Sequence, residues 1–217
     1  MAPPFDFLSE TFLPAIAAAG FRGDCKLIKH GFYPAGGGKI TFNVQPWRKS
    51  TDRIIDLCES SKEFQIHARI YTAKLPPHIA QRQRKLLLQS GLNIRNVEHI
   101  EVTDSDGPGN CVMIRLCGER TTVFTAFGMR GKPSQEVVSE VVNLAENFLS
   151  SGAAVDRFLA DQLLIYMAMA KAGSYTTNEL SSHLQTNMEV IKKFLPVNFR
   201  VEQQKQLYKI SCLPRTN

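Results

Sequence analysis

Two short stretches far apart in the chain hold residue types able to handle a phosphate. The first is His30-Gly31-Phe32-Tyr33-Pro34-Ala35-Gly36-Gly37-Gly38, three consecutive glycines after a Tyr-Pro corner, set between two β-like runs. Glycine tolerates backbone angles that other residues avoid. Such a loop either turns tightly between strands or brings N–H groups close to a phosphate. The second is Ser181-Ser182-His183-Leu184-Gln185-Thr186-Asn187. Thr186 and Glu189 form a T-x-x-E pattern ahead of Val190, Ile191, Phe194 and Leu195, which predicts a capping box and a helix from Asn187. A helix N-terminus carries unpaired N–H donors and partial positive charge. His183 just upstream is then either a surface residue or a group that attacks or positions a phosphorus atom.

The elements around these stretches alternate. Pro3 and Pro4 open a helix with Phe5, Leu8, Phe12, Leu13 and Ile16 on one side, ending at Gly20. Strands are predicted at 25–29 and 40–44, flanking the glycine loop, then at 54–57 and 64–71, where Phe64, Ile66, Ala68 and Ile70 alternate inward. Pro76-Pro77 starts a helix through Leu88. Strands follow near 97–103, 111–117 and 121–127, with Asp106-Gly107-Pro108-Gly109 turning between the first two. Helices are predicted after Pro133 and over 156–171, then a short strand at 174–177, the capped helix and a final hairpin at 197–211. This alternation indicates α/β or α+β packing.

Composition narrows the class. The 217 residues are 43% hydrophobic and 21% charged, values of a globular protein with a real core. No apolar run is long enough to span a bilayer, and the N-terminus does not read as a signal peptide, so the expected address is intracellular, with no membrane partner. The five cysteines fit no C-x-x-C pattern and are expected to be reduced, mostly buried thiols. The net charge of +6 admits a polyanionic partner. Between Arg22 and Arg53 seven basic residues meet only Asp24 and Asp52, and Lys74, Arg82, Arg84, Lys85 and Arg95 meet no acid. Either stretch is able to contact RNA phosphates, or to be a solvated face; the 82–85 group reads as the latter.

Taken together, the glycine-triplet loop and the His183-Leu184-Gln185-Thr186-Asn187 string resemble RNA 3′-terminal phosphate cyclases. Phe158-Leu159-Ala160-Asp161-Gln162-Leu163-Leu164 is similar to that family's ATP-contacting segment, Gly107-Pro108-Gly109-Asn110 to a turn in its inserted domain, and Met1-Ala2-Pro3-Pro4 to an internal stretch. The similarity runs to about Ile210 and corresponds to the C-terminal part of the family, without its glycine-rich opening. It implies an α+β fold of repeated units, each with two helices on a four-stranded sheet, plus a smaller inserted α/β domain. Residues 1–50 and 153–217 would form the core, and 51–152 the insertion, which places the glycine loop and His183 on one domain.

The activity implied is ATP-dependent conversion of an RNA 3′-terminal phosphate to a 2′,3′-cyclic phosphate through a covalent histidine–AMP intermediate. His183 matches the nucleophile; Pro3, Phe158, Asp161 and Gln162 match ATP contacts; a divalent cation, Mg or Mn, is expected to accompany ATP. Phe158 stands where the family usually has tyrosine, keeping a stacking face without the hydroxyl. The partner would be RNA with a 3′-phosphate end. The location would be the nucleoplasm in a eukaryote or the cytoplasm in a bacterium. A chain lacking the family's opening is expected to cyclise RNA poorly. The alternative expectation is a non-catalytic, cyclase-like binding protein of ribosome assembly.

Overall fold

Period-two alternation and proline- or serine-led starts account for most of the observed elements. The structure is a computed structural model that describes residues 3–47 and 53–215. It begins with α1 (Phe5–Phe7), a π-helical turn (Leu8–Phe12) and α2 (Leu13–Ala17), then β1 (Gly23–Lys29) and β2 (Lys39–Val44). Next come β3 (Asp56–Leu57), β4 (Gln65–Ala73), α3 (Pro77–Leu88), β5 (Ile94–Glu101), β6 (Gly109–Cys117) and β7 (Thr121–Phe127). The chain ends with α4 (Ser134–Ser151), α5 (Arg157–Ala170), β8 (Ser174–Thr177), α6 (Ser182–Phe194), β9 (Val197–Gln204) and β10 (Leu207–Pro214). Helices and mixed sheets together make the α+β class expected.

Two compact units divide these elements. The first comprises Met1–Phe7, Asp24–Asn43 and Glu63–Asn147. Its sheet has the order β5-β4-β6-β7, with β4 parallel to β5 and antiparallel to β6, and β6 antiparallel to β7. Parallel neighbours need a crossover, and α3 supplies it between β4 and β5. Ile66, Ala68 and Ile70 of β4 are buried as their spacing required, whereas Phe64 lies outside the strand and only half-buried. The α3 helix buries Ala80, Gln83 and Leu87 and leaves Arg82, Arg84 and Lys85 exposed, with the Arg84 guanidinium donating to the Val97 carbonyl. Gln83 and Asn110 exchange side-chain hydrogen bonds of 2.6 and 2.9 Å in the interior. β1 and β2 pair as a two-stranded sheet with the glycine loop between them.

The second unit comprises Leu8–Gly23, Val44–Lys62 and Phe148–Asn217. Its sheet has the order β3-β8-β10-β9, and α5 and α6 pack against it, giving two helices on four strands. β3 runs parallel to β8, while β10 is antiparallel to both β8 and β9. The fully buried Tyr175 on β8 donates its hydroxyl hydrogen to the Ala160 carbonyl at 2.7 Å, tying the sheet to α5.

Local differences from the expected elements have physical reasons. The first helix contains a π-helical turn, and its buried set is Phe7, Thr11, Phe12, Ala15 and Ile16 rather than a stripe that includes Phe5, Leu8 and Leu13. The expected strand at 54–57 pairs only at Asp56 and Leu57, because β8 offers it just Ser174 and Tyr175. Asp106–Gly109 joins strands that flank β4 on opposite sides, so it is a crossing loop and not a hairpin turn. All five cysteines are free thiols; Cys111 and Cys212 are buried and the other three half-buried. Among the described residues no helix is long and apolar enough to cross a membrane. Met1 and Ala2, the basic Arg48 and Lys49, and the expected 50/51 boundary lie outside the described residues.

Candidate active site

The helix carrying His183 starts earlier than its T-x-x-E pattern predicted. Ser181 is the N-cap: extended at φ −65°, ψ 156°, it accepts the Leu184 N–H on its hydroxyl at 3.1 Å. Leu184 and Met188, four residues apart, are the buried positions that hold α6 in place. They set the helix phase, and the earlier serine wins the cap because the turn it starts buries Leu184. Thr186 and Glu189 therefore lie inside α6 and are exposed. His183 becomes the second residue of the helix, exposed, in a turn whose first N–H groups lack intrahelical acceptors.

Asn187 follows His183 by four residues, which places both on one side of α6. Its amide donates to the Asp161 carboxylate on α5. Asp161 and Gln162, with Phe12, Ile165, Tyr166, Asn187 and Ile191, line a hollow of about 360 Å³. Phe158 stands one turn before Asp161 and Gln162 on α5, half-buried, with the Arg157 guanidinium 4.9 Å from its ring centroid. Helices α5 and α6 pack against each other, and Asp161, Gln162 and Asn187 share this hollow, whereas His183 and Phe158 lie on the same two helices outside its lining. Pro3, half-buried ahead of α1, belongs to the first unit.

The glycine-triplet loop also belongs to the first unit, and its contacts there are with the Asp106–Gly109 loop. Gly37 has φ +75°, and a Cβ at that position would collide with the Asp106 carboxylate. Asp106 is held by Lys29, whose Nζ lies 2.5 Å from Oδ1, and the Lys74 ammonium donates to the Asp106 carbonyl at 2.9 Å. The Lys29 pairing keeps the Asp106 carboxyl below its usual range. Gly109 packs so closely on the Phe32 ring that a side chain there would enter the ring. This loop's glycines serve a backbone joint, the tight-packing alternative rather than a visible anion cradle.

The family model for RNA 3′-terminal phosphate cyclase matches residues 1–201. The chain belongs to the RNA 3′-terminal phosphate cyclase family. The RNA 3′-terminal phosphate cyclase of Koribacter versatilis is 38% identical over 216 residues, covering 99% of this chain and 60% of the relative. That of Pseudomonas aeruginosa is 38% identical over 199 residues, 91% of this chain and 58% of the relative. That of Salmonella agona is 33% identical over 210 residues, 96% of this chain and 60% of the relative. The chain spans about three fifths of the length of these curated relatives.

Within this family member, sequence reading overlooked Asp156. It is the N-cap of α5: Oδ1 accepts the Phe158 N–H at 2.8 Å and the Leu159 N–H at 3.2 Å, while the buried Oδ2 has no partner. Burial pushes its carboxyl up to about 6 against the pull of those N–H groups. An Asp directly before an Arg-Phe-Leu helix start was a readable cap signal. Its burial depends on Ala153, Ala154 and Val155 being interior, which no local pattern revealed. His30, the first residue of the glycine stretch, lines a cavity of the first unit. Among the described residues no three His, Cys, Asp or Glu side chains cluster as metal ligands.

Proposed function

We propose that the protein carrying this segment converts an RNA 3′-terminal phosphate into a 2′,3′-cyclic phosphate using ATP, with His183 holding AMP between the half-reactions. The observation that carries this reading is the placement of His183: an exposed imidazole at the second position of a capped helix, one turn ahead of the Asn187–Asp161 pair. A neutral imidazole nitrogen attacks the α-phosphorus of ATP; the bond to pyrophosphate breaks and a nitrogen–phosphorus bond forms. A terminal oxygen of the RNA 3′-phosphate then attacks the same phosphorus, and His183 leaves with its electron pair. The neighbouring 2′-hydroxyl attacks the RNA phosphorus, loses its proton, and AMP departs.

The residues present suit these roles. The first-turn N–H groups of α6 and the positive end of its dipole stabilise charge on the transferred phosphate. Phe158 offers a ring face to adenine, and Asp161 and Gln162 supply polar groups one turn further along α5. Pro3 is assigned to the ATP lining by resemblance to the family, as is the division into a 1–50 and 153–217 core with a 51–152 insertion. A divalent cation would enter on the ATP phosphates and neutralise pyrophosphate as it leaves. The test follows a 3′-phosphorylated oligonucleotide with ATP and Mg, scoring resistance of the end to phosphatase. Conversion is expected in the intact protein and to fall at least about a thousandfold in His183→Ala, the scale of losing a nucleophile. Conversion within tenfold of the intact protein in that variant would remove His183 from the mechanism.

A further inference from the structure

One cation of the second unit has no part in the chemistry described so far. Arg157 is the first residue of α5, between the Asp156 cap and Phe158. Its Cζ lies over the Phe158 ring, 4.9 Å from the centroid. The same guanidinium meets the Glu179 carboxylate, Nη1 to Oε2, at 3.4 Å. Glu179 stands in the loop between β8 and α6, two residues ahead of the Ser181 cap. All these residues belong to the second unit.

The two contacts fix a ring that cannot fix itself. A phenyl group has no polar atom with which to hold its orientation. The Phe158 N–H is pinned by Asp156 Oδ1 at 2.8 Å, but the side chain is only half-buried. Among the described residues Arg157 is the one cation or ring stacked on it. A guanidinium is flat, always charged and suited to lie on an aromatic face. Arg157 and Glu179 have 46% and 43% of their side chains exposed, and such an ion pair alone contributes little. Engaged by the ring and the carboxylate together, the guanidinium is confined in two directions. It occupies one face of Phe158, so a base stacks on the other. Glu179 already answers its charge, which makes it a support for the ring rather than a ligand for phosphate.

We propose that Arg157 is a positioning residue for the nucleotide: it orients the Phe158 ring for the adenine of ATP and takes its own place from Glu179. This rests on the reading of α5 as part of the ATP site. It also gives the base platform on α5 and the lead-in to the His183 helix a common anchor.

The test reads binding, without turnover. A fluorescent ATP analogue with a methylene group between the α and β phosphorus atoms cannot transfer AMP; it is bound to the intact protein and displaced with adenosine or with tripolyphosphate. Arg157→Ala should weaken displacement by adenosine about two- to fivefold, the scale of one exposed cation–π contact, and leave displacement by tripolyphosphate within about twofold. Glu179→Gln should shift adenosine in the same direction by a smaller factor. In Phe158→Ala protein, Arg157→Ala should cause no further loss, because the ring through which it acts is gone. Unchanged adenosine affinity in Arg157→Ala overturns the proposal, as does an equal loss with and without the Phe158 ring. Selective weakening of tripolyphosphate would make Arg157 a phosphate ligand, and equal weakening of both competitors would make its role generally structural; either result overturns the proposal too. Failure of the unchanged protein to bind the analogue removes the nucleotide site itself, and this inference with it, a result distinct from indifference to Arg157.

Discussion

Asp156 shows how one side chain can cap a helix and still weaken the fold at neutral pH. Its Oδ1 satisfies two N–H groups at the start of α5, but its second oxygen is buried without a partner. The folded carboxyl is raised to about 6, above an ordinary unfolded value of about 3.9. The fold therefore binds this proton more tightly than the unfolded chain does. The resulting stabilisation is complete below about pH 3.9 and is lost as pH rises through about 6. Asp156→Asn keeps an oxygen acceptor for the cap and removes the charge. Its stability relative to the unchanged protein should be more favourable at pH 7.5 than at pH 4.5, by on the order of 1–3 kcal/mol. Denaturant titrations at the two pH values measure this, and a pH-independent difference would refute it.

At the scale of the element, α6 decides where the imidazole stands. A cap at Thr186 would have left His183 in the preceding loop; the cap at Ser181 puts it within the first turn. Ser181→Ala should cost about 1 kcal/mol and loosen that turn, whereas Thr186→Ala, inside the helix and exposed, should change stability little. Attachment of AMP to His183 should fall in the first variant and persist in the second; the opposite pattern would restore the later helix start.

The same helix shows what the sequence could convey. His183, Leu184 and Asn187 stood out as letters, but T-x-x-E and S-x-x-L compete as starts, and only burial of Leu184 and Met188 separates them. The strands at 174–177 and 197–211 were readable from local alternation and turns. The parallel partnership of β4 with β5, and the shortness of β3, were not, because both depend on which residues a distant strand presents.

Across the whole molecule, the least legible feature was the partner of the glycine loop. Gly37 and Gly109 announce close backbone approach, yet nothing local says that Asp106 and Phe32 are what approach them. The Asp161–Asn187 contact was hidden in the same way, although both residues had been singled out by resemblance. Net charge, by contrast, is a global quantity read directly: +6, with Lys26, Lys39 and Arg22 exposed around β1 and β2. Binding of a single-stranded oligonucleotide should weaken with salt, log affinity falling by about 0.7 per phosphate contact for each unit of log salt. A flat response would exclude this basic surface from RNA binding.

The most direct measurement is covalent. The protein would be incubated with ATP labelled at the α-phosphate, digested, and the labelled peptide identified by mass spectrometry. The account predicts one AMP on His183, in a bond that acid breaks and base spares, lost in His183→Ala. AMP on another residue, or labelling that survives that substitution, would contradict it.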